Sequence, residues 1–410
     1  MEPMPERADV VVVGGGVIGL CTALELARAG RQVTVIAEGS PGEGTSAGNA
    51  GMLVPSHVVP LSAPGVISQG LRWLMRRDAP FHLKLRPDLD LLRWLWQFRA
   101  HCTEAHVQRS VPLLRDLSLA SMEAYRDLAE ERNDFGLSNT GLMMVYRTEK
   151  LRAAMAHEAD VAIGAGLRVQ RLDADGVRQA EPGLLSPALG AILFEEDGRL
   201  DPNRFLKTLR QRLKSNGGTT MYGSHVRTVG PGFVETTTGR IRCNDVVVAA
   251  GAWSPGLLKT AGHKIPVQPA KGYSVTVPPA PGGLTMPMIL MEERVTITPM
   301  PDKLRFGGTL SLAGFDARVD RERVSPILRE AVRYHPELDP SSLPVWCGFR
   351  PAPPDGLPIM GKLGDGLWCN TGHGMLGVSL GPASGRLVAD QMLGRVPFMD
   401  GTAFSPLRFR

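Results

Sequence analysis

No Cys-x-x-Cys pair occurs in this 410-residue chain, and its five cysteines, Cys21, Cys102, Cys243, Cys347 and Cys369, are odd in number and scattered. That pattern argues against a disulfide framework or a zinc site and fits a reducing cytoplasm. His and carboxylate residues nowhere cluster at metal-ligand spacing, so no metal is expected. The net charge of +5 is spread along the chain without a Lys/Arg block, which argues against a nucleic-acid partner. No apolar run approaches the ~20 residues of a membrane span. The opening MEPMPERADVVVVGGG lacks a signal peptide's apolar region and cleavage site. Internal repeats, low-complexity tracts and coiled-coil heptads are also missing. What remains is ordinary globular composition, 43% apolar and 21% charged, long enough for two domains.

The stretch ADVVVVGGGVIGLCTALELARAGRQVTVIAEG reads as a buried strand from Val10 to Val13, a glycine turn, an amphipathic helix and a second strand from Val33 to Ile36. Gly14, Gly16 and Gly19 fit G-x-G-x-x-G. The first permits the tight turn, the second lets backbone approach a pyrophosphate at the helix N-terminus, and the third lets helix and strand pack closely. The turn and the first helical residues, Val17 and Ile18, are therefore candidate dinucleotide contacts. Glu38 follows the second strand and could accept hydrogen bonds from a ribose.

The motif does not separate NAD from FAD, but the next segment does. GEGTSAGNAGMLVPSH, residues 42–57, is a long run of small residues where an NAD enzyme would enter its next helix. Thr45, Ser46, Asn49, Ala50 and Gly51 suit a loop wrapped on a phosphate and a flat ring; a flexible linker is the competing reading. Later, IRCNDVVVAAGAWSPGLL ends a β-run in small residues, placing Ala250, Gly251 and Trp253, with Val226 upstream, near a cofactor.

Nearly end to end the chain resembles the FAD-dependent D-amino-acid oxidase superfamily, in particular D-amino-acid dehydrogenases and more distantly glycine and sarcosine oxidases. The resemblance is carried by the glycine turn, GTSAGNAGM, GRLDPNRFLKTL, VVVAAGAWS, PAKGYSVTV, GFRPAPPDGLPIMG and NTGHGMLGVSLGPASGRLVADQM. One departure is that Ala37 stands where the family usually has its ribose acid, with Glu38 following. The resemblance implies an α/β fold: a Rossmann-like FAD-binding domain in pieces, 1–56, 200–260 and 345–410, and an α+β substrate-binding domain with an antiparallel sheet, 57–199 and 261–344. It implies non-covalent FAD and oxidative deamination of a small amino acid, leading with a D-amino acid. A hydride would pass from the α-carbon to flavin N5, giving an imine and then a keto acid and ammonia. Glycine, sarcosine, D-proline or hydroxyproline are alternative substrates, and a non-catalytic electron-relay subunit is an alternative role. The acceptor would be a quinone or carrier protein for a dehydrogenase, which is favoured, or oxygen for an oxidase.

Arg350, in the family's GFRP segment, is implied as the clamp on the substrate carboxylate, because a planar guanidinium can hold it through two charge-assisted hydrogen bonds. A structural salt bridge is the competing reading. Tyr273 is either a second hydrogen bond to that carboxylate or a core tyrosine. In NTGHGMLG, the turn Gly372, Gly374, Met375, Leu376 and Gly377 opens a helix whose N-terminal amides suit the anionic end of a reduced flavin. His373 touches the flavin or caps the turn. Finally, residues 64–101 combine Trp73, Trp94, Trp96 and Phe98 with seven basic residues against three acids from Arg72 to Arg99. They read as a helical subdomain, with peripheral contact to the inner face of the membrane as the lesser alternative.

Overall fold

The computed structural model describes residues 6–74, 81–84 and 86–409. The side chains of Leu71, Trp73 and Leu74 lie outside what is described, as do Arg76 and Arg77 of the basic segment.

Val10–Val13 is buried at every position and pairs in parallel with Val33–Ile36 on one side and Asp245–Val248 on the other. A strand covered on both faces and both edges favours an uninterrupted β-branched run over alternation. Leu367–Thr371 and Thr219–Met221 extend this parallel sheet outward, and Ile359–Gly364 closes one edge antiparallel. The helix Val17–Arg28 follows the first strand and packs on Gly377–Met392. A Cβ on Gly385 would stand 2.7 Å from the Cys21 backbone, so the small residues of SLGPASG allow these two helices to meet at backbone distance.

A second, nine-stranded sheet holds the expected antiparallel core, Gln268–Val277, Val295–Met300 and Lys303–Leu312. Leu142–Tyr146, Gly190–Phe194 and Val169–Asp173 continue it beyond Met288–Leu290. Two segments differ from the expected division. Val345–Ala352 pairs along its length with Gln268–Val277, so it belongs to the large sheet rather than to a nucleotide-binding piece beginning at 345. The helix Glu104–Glu131, expected with the substrate part, packs Met122, Tyr125 and Leu128 into the core beneath Val17–Arg28. Its apolar face is long enough to serve the smaller sheet, which the helix's position in the chain does not reveal.

Candidate active site

A cavity of about 1240 Å³ runs from the glycine turn to the large sheet. That exceeds the ~300–1,000 Å³ of ordinary ligand pockets, leaving room for a dinucleotide and a small substrate together.

At one end, the three motif glycines do different work. Gly14 has φ +124°, and a Cβ there would lie 2.3 Å from the Ala249 carbonyl oxygen; a Cβ on Gly19 would lie 1.9 Å from that of Gly14. Both positions are closed by backbone, and Gly19 lies behind the cavity rather than on it. Gly16 instead faces the cavity, where a Cβ would meet only Ser46 Oγ, at 3.1 Å. The N–H of Val17 donates to Ser46 Oγ (3.1 Å), and Ile18 lies beside it on the wall. Glu38 sits at the rim, largely exposed, with its carboxylate 3.0 Å from His225 Nδ1. Val226 lines the same stretch.

The small-residue loop is a fixed element. Thr45 donates its hydroxyl to the Phe349 carbonyl (3.1 Å), Ser274 donates to the Gly48 carbonyl (3.1 Å), and buried Arg305 donates to the carbonyls of Ala47 (2.8 Å) and Asn49 (2.7 Å). Asn49 and Ala50 thus border the cavity on a rigid wall. Gly51 does not. It has φ +76°, packs against the Leu200 carbonyl, and turns the chain into Met52–Leu53, which pairs with Gly198–Arg199. Arg305 was missed in the sequence, although a charge between the apolar Leu304 and Phe306 was its signal.

At the other end, Ala250, Gly251 and Trp253 line the cavity, and the Trp253 ring stacks on Phe315. Gly374, Met375, Leu376 and Gly377 also line it, and the Gly374 N–H donates to the Pro351 carbonyl (2.9 Å). Gly372 falls outside: at φ +75° it packs on Ile359 and serves the turn. His373 is buried, with Nε2 3.0 Å from Ser384 Oγ, and burial pushes its pKa down to about 3, so it is neutral. Its Nδ1 and the Oδ1 of Asn370 are buried without a hydrogen-bond partner among the described residues, and both residues border the cavity. Buried polar atoms are normally paired.

Arg350 opens onto the middle of the cavity. Its guanidinium lies over Gly272, where a Cβ would come within 2.1 Å of it, and Nη1 donates to the Thr309 carbonyl (2.8 Å). Among the described residues no carboxylate forms an ion pair with it. Burial lowers its pKa to about 10, which leaves it cationic at neutral pH. Thr309 adopts φ +64°, costly for a β-branched residue, and so aims its carbonyl at Arg350. Trp346, also missed in the sequence, fills space that a Cβ on Gly48 or Gly348 would enter, at 2.1 and 2.0 Å.

Tyr273 takes the second of its two readings, the core tyrosine, and not the carboxylate contact. Tyr273 borders the cavity together with Gly272 and Ser274, but strand alternation sends its ring to the opposite face, into a core with Val324 and Ile327. Its hydroxyl donates to the Arg318 carbonyl (3.4 Å) and accepts from the Asp320 N–H (3.2 Å), so it is not free for a substrate carboxylate. Of the aromatic segment, Trp94 is buried and donates Nε1–H to the Ala352 carbonyl, whereas Leu89, Leu92 and Trp96 stand exposed.

The FAD dependent oxidoreductase family, DAO, matches residues 9–391. The chain belongs to that family. It is 36% identical over 407 residues to a D-amino acid dehydrogenase of Methylobacterium radiotolerans, covering 95% of this chain and 96% of that one. A D-amino acid dehydrogenase of Vibrio vulnificus is 33% identical over 400 residues, covering 94% and 95%. Among solved structures, glycine oxidase from Geobacillus kaustophilus aligns with TM-score 0.73 at 26% identity, over 98% of both chains. L-proline dehydrogenase from P. horikoshii shares the fold, with TM-score 0.73 at 20% identity over 99% and 98%. The cofactor of this family member is FAD, and the residues present fit it: the cavity is large enough, a Gly16 side chain would intrude on it, and the unpaired His373 Nδ1 and Asn370 Oδ1 border it. Among the described residues no helix is long and apolar enough to cross a membrane.

Proposed function

We propose that this enzyme oxidises the carbon–nitrogen bond of a small D-amino acid, and that Arg350 holds the substrate's carboxylate. The observation that carries this reading is a cavity guanidinium with no carboxylate partner among the described residues, steered by the Thr309 carbonyl. FAD bound in the cavity supplies the two-electron acceptor. Gly16, Val17, Ser46, Asn49 and Ala50 would hold its pyrophosphate side, Glu38 and Val226 its adenosine side, and Ala250, Gly251 and residues 373–377 the remainder. Arg350 then orients the α-carbon, and fixed orientation supplies much of the rate in such a reaction. Neutral His373 adds no charge of its own to the site. The smaller sheet acts as the cofactor unit and the larger as the substrate unit, with Val345–Ala352 in the latter.

We further take the acceptor to be a quinone or carrier protein, in line with the relatives named as dehydrogenases. Exposed Leu89, Leu92 and Trp96 favour contact of a cytoplasmic enzyme with the inner face of the membrane. Anaerobic mixing with a panel of D- and L-amino acids, glycine, sarcosine and hydroxyprolines is expected to bleach the flavin fastest with a D-amino acid. Bleaching by none of them overturns the reading. The flavin is expected to be non-covalent, because no cysteine lines the cavity among the described residues and Cys369 is buried with its Sγ against the Ile359 carbonyl. Acid precipitation should release all the colour; yellow pellets would contradict this.

A further inference from the structure

Ser56, His57 and Asp197 form a hydrogen-bonded chain that none of the roles above uses. Asp197 is fully buried and accepts from the Ser56 N–H at Oδ1 (2.9 Å) and from the Ser56 hydroxyl at Oδ2 (2.5 Å). Ser56 Oγ lies 3.1 Å from His57 Nδ1. His57 is on the wall of the same cavity as Arg350, and its Nε2 has no hydrogen-bond partner among the described residues. No cation pairs with Asp197 among the described residues, so the chain connects one buried carboxyl group to one cavity imidazole and to nothing else.

We propose that Asp197, Ser56 and His57 are a proton relay, with His57 Nε2 the atom that takes the proton from the substrate's ammonium group. The inference rests on the amino-acid reading given above. An α-amino group must lose its proton before its lone pair can assist oxidation of the neighbouring carbon. The step balances without a redox partner: the ammonium proton goes to Nε2, the Nδ1 proton goes to Ser56 Oγ, and the Ser56 hydroxyl proton goes to Asp197 Oδ2. The amine is left neutral and the carboxylate protonated. Desolvation, with a smaller push from Glu196 and against the pull of the Ser56 hydrogen bonds, raises the Asp197 pKa to about 8. Burial and the charge of Arg294 lower His57 to about 4, so His57 passes the proton on rather than keeping it. Burial lowers the pKa of Arg294, against the opposing charges of Glu158 and Glu292. The sign follows: below pH 8 Asp197 is already protonated, Nε2 carries hydrogen and the relay is closed. Above it the carboxylate is free and Nε2 presents a lone pair.

The test is the anaerobic rate of flavin reduction from pH 6 to 10, using the panel amino acid that reduces the parent fastest, for the parent, Asp197→Asn, Ser56→Ala and His57→Gln. General-base relays contribute roughly a hundredfold or more, so each variant should lose about that factor at pH 9 while keeping flavin content. The parent's inflection near pH 8 should vanish, leaving only the slope set by the substrate's own ammonium. In parallel, an infrared pH titration of the parent should show a carboxylic-acid carbonyl band lost near pH 8 that Asp197→Asn lacks. Parental pH profiles in the flavin-loaded variants, a uniform drop at every pH, or no such band would each overturn the relay. A parent that no amino acid reduces overturns the amino-acid reading instead, and the infrared band still decides whether Asp197 titrates.

Discussion

Arg350→Met is expected to keep its FAD and its fold while reduction by an amino acid collapses. Removing one partner of a buried charge pair costs about 2–5 kcal/mol, so kcat/KM should fall roughly thirtyfold to several-thousandfold. The fold should tolerate the change because no ion pair is broken among the described residues, and only the hydrogen bond to the Thr309 carbonyl is lost. Arg350→Lys should recover part of the activity, since an ammonium reproduces the charge but not the two-pronged geometry. Parallel loss of thermal stability and flavin would instead mark Arg350 as structural.

Gly16→Val is expected to give a folded, colourless protein. The backbone at Gly16 has φ −78°, which any residue adopts, and a Cβ there meets only Ser46 Oγ. The added methyls would stand where helix amides face a pyrophosphate, and FAD affinity should drop by roughly two orders of magnitude, the scale of ~3 kcal/mol of lost contacts. Gly19→Val is the contrast: its Cβ would collide with the Gly14 carbonyl, so that variant should fail to fold. Flavin absorbance per folded protein, with melting temperature, checks both. A yellow Gly16→Val protein would show that the turn does not receive the cofactor.

The βαβ unit was legible because its signals are local: a β-branched run, three glycines at fixed offsets and a helical period within one short stretch. The antiparallel sheet expected in the substrate part is found in Gln268–Val277, Val295–Met300 and Lys303–Leu312, the last two joined by a hairpin that turns at Pro301 and Asp302. Residue type alone could not give Tyr273 its face. Tyrosine suits either side of a strand, and the register against Lys303–Leu312 shifts between Lys271 and Tyr273. Gly51 and Gly372 carry the composition of cofactor loops, yet their conformations serve turns packed on Leu200 and Ile359. The sheet that owns Val345–Ala352 depends on pairing with a strand far earlier in the chain, and Ser56 and Asp197 meet across 141 positions. Contacts of that range leave no mark in a local pattern.

The anion proposed for Arg350 is the substrate's carboxylate. The most direct measurement is the anaerobic flavin-reduction rate with the preferred amino acid and with the amine that lacks its carboxylate, taken on the parent and on Arg350→Met in the same preparations. The parent should prefer the acid by roughly a hundredfold or more, and the preference should fall close to parity in the variant as amine rates stay nearly unchanged. An undiminished preference for the acid in Arg350→Met would contradict that assignment.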